Sequence, residues 1–231
     1  MDKRYADAGQ AIEGMRDGIT LMSGGFGLCG NPEALIRAVA DARILDLDLI
    51  SNNCGIDNAG LGVLLANGQV RSMTSSYVGE NKTFEQLYLS GKLQVTLVPQ
   101  GTLAERIRAG GAGIGGFYTP TGYGTPIAEG KECREIDGRW YILEAPLRAD
   151  FAIVKAWKGD AHGNLVYRHT ANNFNQAMAT AGRVTIAEVE QLVDVGELEP
   201  NHVHTPGIFV DRVIVAPDAP KAIEFRTTRE A

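Results

Sequence analysis

Between Gly24 and Gly30 the chain reads Gly24-Gly25-Phe26-Gly27-Leu28-Cys29-Gly30, where the backbone rather than the side chains is the chemical equipment. Glycines let a main chain approach a ligand closely, and a helix starting at Asn31-Pro32, with Asn31 as its cap, would add the partial positive charge of unpaired N–H groups. That combination suits an anion. It matches no standard nucleotide loop: there is no G-x-x-x-x-G-K-[ST], and Gly25 to Gly30 spells G-x-G-x-x-G with Phe26 in the tight-turn position. Other polar residues fall just after apolar runs. Asn52 and Asn53 sit in Ser51-Asn52-Asn53-Cys54-Gly55, where asparagine serves equally as a turn residue or as an amide donor. Gln100 follows Val98-Pro99 and could donate to a keto group or carboxylate, or simply close a turn. Glu80, in Ser76-Tyr77-Val78-Gly79-Glu80-Asn81, is a carboxylate at the same kind of position. Cys29 reads better as a small packed residue than as a reactive thiol. His202 and His204 lie two apart with no third ligand in view, so no metal site is expected.

The elements that must position these residues follow from the apolar spacing. Ile19 to Ser23 reads as a buried strand, Leu35, Ile36 and Val39 as one face of a helix ending near Ala42, and Leu45 to Ile50 as a strand with one side buried. Strand, loop and helix then repeat through Val70–Ser76, Phe84–Leu89, Leu93–Val98 and a helix beginning near Leu103. This predicts an α/β fold: an open, mostly parallel sheet with helices on both faces. Four strand ends would then deliver Gly24 to Gly30, Asn52-Asn53, Tyr77 to Asn81 and Gln100-Gly101 to one crevice. The stretch from Gly110 to Pro126 looks too glycine-rich for regular structure but holds Phe117, Tyr118 and Tyr123. An ordered loop near the site is expected there. Beyond it the chain is rich in β-hairpins, with Asp137-Gly138-Arg139 as the clearest turn, and the tail after Asp218 is expected to fray. With no repeat or low-complexity linker, residues 1–231 read as a single domain.

Composition excludes several classes. Formal net charge is −6 and no basic run is present, so neither nucleic acid nor an anionic membrane is an expected partner. The three cysteines are scattered without a C-x-x-C, and the N-terminus lacks an apolar segment, which together suit a cytoplasmic protein.

Five separated blocks resemble the alpha (A) subunit of family I CoA-transferases, of the succinyl-CoA:3-oxoacid type. They are Asp17-Gly18 through Gly24-Gly25-Phe26 to Gly30-Asn31-Pro32; Ser51 to Gly55; Val98 to Arg108 running into Gly110 to Gly113; Tyr118 to Thr125; and Asp150 to Ala156. Ser23 departs from the aliphatic residue usual in the first block. The resemblance implies CoA as a substrate with no permanently bound cofactor. It also implies covalent catalysis by a glutamate in a Ser-Glu-Asn-Gly run on a partner B subunit. No such run occurs in this sequence, so a heterodimer or heterotetramer is implied. By the same resemblance Asn52 supports an oxyanion, and Gly24, Gly25, Phe26, Gly27, Leu28, Cys29 and Gly30 contact CoA. Asn53 and Gln100 are implied to bind the acyl substrate, and Glu80 to contact substrate or the subunit interface. The run Tyr77 to Asn81 is closer to the acetoacetate branch than to the 3-oxoadipate branch, which stays as the alternative. A nucleotide-dependent oxidoreductase is less well supported, because the second strand ends in Ser51-Asn52-Asn53 without the acidic residue a ribose needs. An effector-binding domain ranks last, as no DNA-binding helix pair or basic face accompanies it.

Overall fold

The computed structural model describes residues 1–219. After a short helix α1 (Ala8–Ala11), the chain alternates β1 (Thr20–Ser23), α2 (Glu33–Asp41), β2 (Leu47–Ile50), α3 (Gly62–Ala66), β3 (Val70–Ser75), α4 (Lys82–Leu89), β4 (Gln94–Leu97) and α5 (Gln100–Ala112). Three short strands follow, β5 (Phe117–Thr119), β6 (Cys133–Ile136) and β7 (Arg139–Glu144). The chain closes with β8 (Ala149–Asp160), β9 (Leu165–Val166), α6 (Asn175–Ala179), β10 (Gly182–Val193) and β11 (Arg212–Val215).

The main sheet has the order β11-β10-β8-β1-β2-β3-β4, all parallel, with β9 paired antiparallel to β8. Its central strands β1 and β8 are buried on both sides because both faces are covered there, whereas the edge strand β4 is mostly exposed. One face packs Leu21, Leu49 and Met73 against Leu35, Ile36, Leu64 and Phe84 from α2, α3 and α4. The other packs Met22, Ile50 and Val154 against Leu103 and Ile107 of α5 and Met178 of α6. The chain winds outward from β1 to β4 and then returns to lay β8 on the other side of β1. A crevice opens where the order reverses, at the carboxyl ends of β1 and β8, and α/β sheets bind ligands there.

Several expectations need correction. The helix that begins at Gln100 runs on through Gly110 and Gly111 instead of breaking there. Glycine occupies those positions because the helix presses on its neighbours: a Cβ on Gly110 would lie 1.8 Å from the Leu147 carbonyl oxygen, and one on Gly111 2.0 Å from Thr180 Oγ1. Phe117 to Thr119 is a strand, not a loop beside the crevice, and belongs to a separate antiparallel sheet of order β5-β7-β6. The hairpin within that sheet turns at Asp137 (φ 49°) and Gly138 (φ 75°), the left-handed pair that a two-residue turn requires. Trp140, on β7, is exposed and stacks on Tyr123 with ring centroids 5.4 Å apart. The tail expected to fray lies, from residue 220 onward, outside the described residues. Among the described residues no helix is long and apolar enough to cross a membrane.

Candidate functional site

Asn52 leaves β2 at its carboxyl end and is only 2% exposed, so its amide needs partners. Its Oδ1 accepts hydrogen bonds from Ser76 Oγ at 2.8 Å and from Gln100 Nε2 at 3.0 Å. Its backbone carbonyl is held by Ser75 Oγ at 2.8 Å and Ser76 N at 3.1 Å. Two donors on Oδ1 fix which way the amide points, leaving its NH2 as the end that can donate. A buried, oriented donor is what stabilises a developing oxyanion. Three strand ends meet in this cluster: Asn52 after β2, Ser76 after β3 and Gln100 after β4.

Gln100 is the first residue of α5, and a cleft of about 310 Å3 opens beside it, walled by Phe26, Ala104, Asn173, Phe174 and Ala177. The walls are largely apolar, and Phe26 offers a ring that is 48% exposed. Asn53 faces the other way. Its Oδ1 accepts from Gly27 N at 3.0 Å, so it braces the glycine loop. Glu80 is exposed on the loop that carries Ser76 and takes no part in the cluster around Asn52.

The glycine loop is built differently from the expected row of free N–H groups. Gly24 N donates to Ile153 O, Gly25 N to Asn173 Oδ1 and Gly27 N to Asn53 Oδ1, while Phe26 and Cys29 exchange both backbone bonds with each other. Glycine serves close packing here: a Cβ on Gly24 would lie 1.9 Å from Asn175 Oδ1, and one on Gly25, where φ is +117°, 1.8 Å from Asn31 Oδ1. Nor does Asn31 cap α2. The capping position is Pro32, Asn31 Nδ2 donates back to Gly27 O at 3.3 Å, and the helix N–H groups of Ala34 and Leu35 go to the carboxylate of Glu188 on β10. Burial pushes the Glu188 carboxyl above the usual carboxylate range, against the pull of the Lys155 ammonium and the two backbone N–H groups.

Sequence reasoning missed the segment from His169 to Asn175, which closes the crevice over the glycine loop. Asn173 adopts φ 21°, ψ −121°, a costly conformation for any residue with a side chain. Its amide ties Gly25 N to Cys29 O, and Asn175 Nδ2 holds Gly30 O at 2.9 Å. The run Asn172-Asn173-Phe174-Asn175 was the available signal, since clustered asparagines mark specialised turns. Cys29 is half-buried with Sγ 3.4 Å from Thr170 Oγ1. Ser23 is fully buried and satisfied, donating to Gly24 O at 3.2 Å. His204 Nδ1 accepts from Tyr167 N, and among the described residues no group of three or more His, Cys, Asp or Glu is placed to hold a metal ion.

The family model for coenzyme A transferase matches residues 5–216. The chain belongs to the coenzyme A transferase family. Within that family it is 57% identical over 231 residues to the A subunit of the probable succinyl-CoA:3-ketoacid coenzyme A transferase of Bacillus subtilis, covering all of this chain and 97% of that one. It is 49% identical over 245 residues to the mitochondrial succinyl-CoA:3-ketoacid coenzyme A transferase 2A of Mus musculus, covering 98% of this chain but 47% of the mouse protein. Among solved structures, the apoenzyme of an acyl-CoA transferase from Escherichia coli O157:H7 superposes with a TM-score of 0.84 at 24% identity, over 95% of this chain and 48% of that chain.

Proposed function

We propose that this chain is the A subunit of a succinyl-CoA:3-oxoacid CoA-transferase, moving CoA between succinyl-CoA and a 3-oxo acid such as acetoacetate. The observation that carries the reading is 57% identity along the whole chain to the A subunit of a transferase so named. The chain spans about half of the mouse relative, which fits a division of labour with a second chain of similar size. That second chain, a B subunit, supplies the glutamate in Ser-Glu-Asn-Gly.

In the reaction the partner's glutamate attacks the thioester carbonyl of succinyl-CoA, and the Asn52 NH2 donates to the oxygen as it becomes an oxyanion. CoA leaves as the thiolate, leaving a succinyl-glutamyl anhydride. The thiolate then attacks the glutamyl carbonyl, releasing succinate and leaving a glutamyl-CoA thioester. The 3-oxo acid repeats the two steps in reverse and departs as its CoA thioester. Gln100 and Ser76 keep the Asn52 amide in its donating orientation. Gly24 to Gly30, with Phe26 outermost, forms the edge against which CoA lies, and Asn53 holds that edge in place. Glu80 lies at the rim, against substrate or the partner.

The experiment that tests this assignment is a trap. The chain is mixed with its B partner and succinyl-CoA without an acceptor, quenched in acid, and each chain is weighed by mass spectrometry. CoA is expected on the partner; CoA attached to this chain, at Glu80 for instance, would overturn the division of roles.

A further inference from the structure

Beneath the glycine loop lies a buried charge pair for which the reaction has no use. Glu188 is fully buried on β10, Lys155 is 6% exposed on β8, and Lys155 Nζ stands 3.3 Å from Glu188 Oε1. The other carboxylate oxygen, Oε2, accepts from Ala34 N at 2.8 Å and Leu35 N at 3.3 Å, in the first turn of α2. A buried ion pair is a weak source of stability, since well-packed apolar residues often do as well or better. What apolar residues cannot do is satisfy the unpaired N–H groups at a helix start. That first turn is tied to the glycine loop through Asn31. Its carbonyl accepts from Glu33 N, its Nδ2 donates to Gly27 O, and its Oδ1 fills the space a side chain on Gly25 would need.

We propose that Glu188 is a positioning residue for the loop Gly24 to Gly30: its carboxylate locks the first turn of α2, Asn31 passes that constraint to Gly25 and Gly27, and Lys155 holds the carboxylate in place. The inference rests on the reading that this loop contacts CoA.

Two double variants separate the hydrogen bonds from the charges. K155M/E188Q and K155M/E188L both lack the ion pair, but glutamine keeps an acceptor oxygen for Ala34 N and Leu35 N, whereas leucine does not. Assembled with the B partner, the leucine variant is expected to show a KM for succinyl-CoA at least tenfold above that of the glutamine variant, with the KM for the acceptor acid the same in both. A merely structural role would lower the active fraction, and so kcat, without moving either KM. Equal KM values for succinyl-CoA would overturn the proposal. Should the leucine variant not fold, Ala34→Pro takes its place. It deletes the 2.8 Å donor at the second position of α2 and leaves both charges; the same rise in KM is expected and an unchanged KM overturns the proposal. Amide exchange at Phe26 to Gly30 in the isolated chain reads positioning without activity. Faster exchange in the leucine variant, or in Ala34→Pro, than in K155M/E188Q supports it, and equal exchange contradicts it. Absence of CoA transfer by the wild-type heteromer would count against the proposed function instead.

Discussion

Gln100 Nε2 lies 3.0 Å from Asn52 Oδ1, so the first residue of α5 holds the amide that ends β2. Ser76 Oγ donates to the same oxygen, so two donors hold the Asn52 amide with its NH2 turned away from them. Its donating end is set by two neighbours, neither of which touches the reacting carbonyl in the proposed mechanism.

Asn52→Ala should lower kcat by about 10²–10³ with little change in the substrate KM values, the cost of losing one oxyanion donor. Gln100→Glu makes a sharper test than Gln100→Ala. A carboxylate at 100 cannot donate to Oδ1, so the Asn52 amide should rotate and present its oxygen to the site. Steady-state kinetics with the B partner should place Gln100→Glu near Asn52→Ala and Gln100→Ala well above both. Equal activity in the two Gln100 variants would remove the orienting role.

Gly110→Ala sets helix propensity against packing. Alanine in a helix interior gains about 1 kcal/mol over glycine. Here its Cβ would meet the Leu147 carbonyl oxygen at 1.8 Å, a backbone atom that cannot swing aside. Overpacking typically costs about 1–3 kcal/mol, and contact should win. Urea unfolding should show a lower midpoint for Gly110→Ala, while Gly115→Ala, with nothing within 4 Å of the new Cβ, should leave it nearly unchanged.

Glu33 predicts a pH-dependent stability. Burial raises its carboxyl above the ordinary range, against the Asn31 hydrogen bond and the charges of Lys155 and Arg37, and its Oε1 has no partner among the described residues. A raised folded-state value means that the folded chain binds the proton more tightly than the unfolded one. This contribution is present in full below the unfolded value, near 4.5, and is lost as pH rises through the folded one. Glu33→Gln mimics the protonated form. Thermal melts should show wild type and variant close at pH 4, with the variant increasingly the more stable toward pH 7. A difference independent of pH would contradict this.

The parallel sheet was legible because buried strands such as Leu47 to Ile50 carry a local signal, and the hairpin of the separate antiparallel sheet because Asp137-Gly138 carries one. The meeting of Asn52 and Gln100 was legible too, since strand ends of a parallel sheet share one edge, whereas Asn53 turns instead to the glycine loop. What escaped was nonlocal. Gly110 and Gly111 look like helix breakers until Leu147 and Thr180 are seen against them. The N-terminus of α2 reads as an open anion site until Glu188, more than 150 residues away in the chain, is found in it. Asn173 and Asn175 left a compositional trace in Asn172-Asn173-Phe174-Asn175, but nothing in the sequence says that they reach back to Gly25 and Gly30.

The central claim is that this chain supplies the oriented amide and the CoA edge while the attacking carboxylate comes from elsewhere. The most direct test is the rate of acetoacetyl-CoA formation from succinyl-CoA and acetoacetate, measured for this chain alone, for the B partner alone and for the mixture. The account predicts turnover in the mixture and none from either chain by itself. Turnover by this chain alone would contradict it, while a mixture that accepts 3-oxoadipate and not acetoacetate would overturn the substrate assignment.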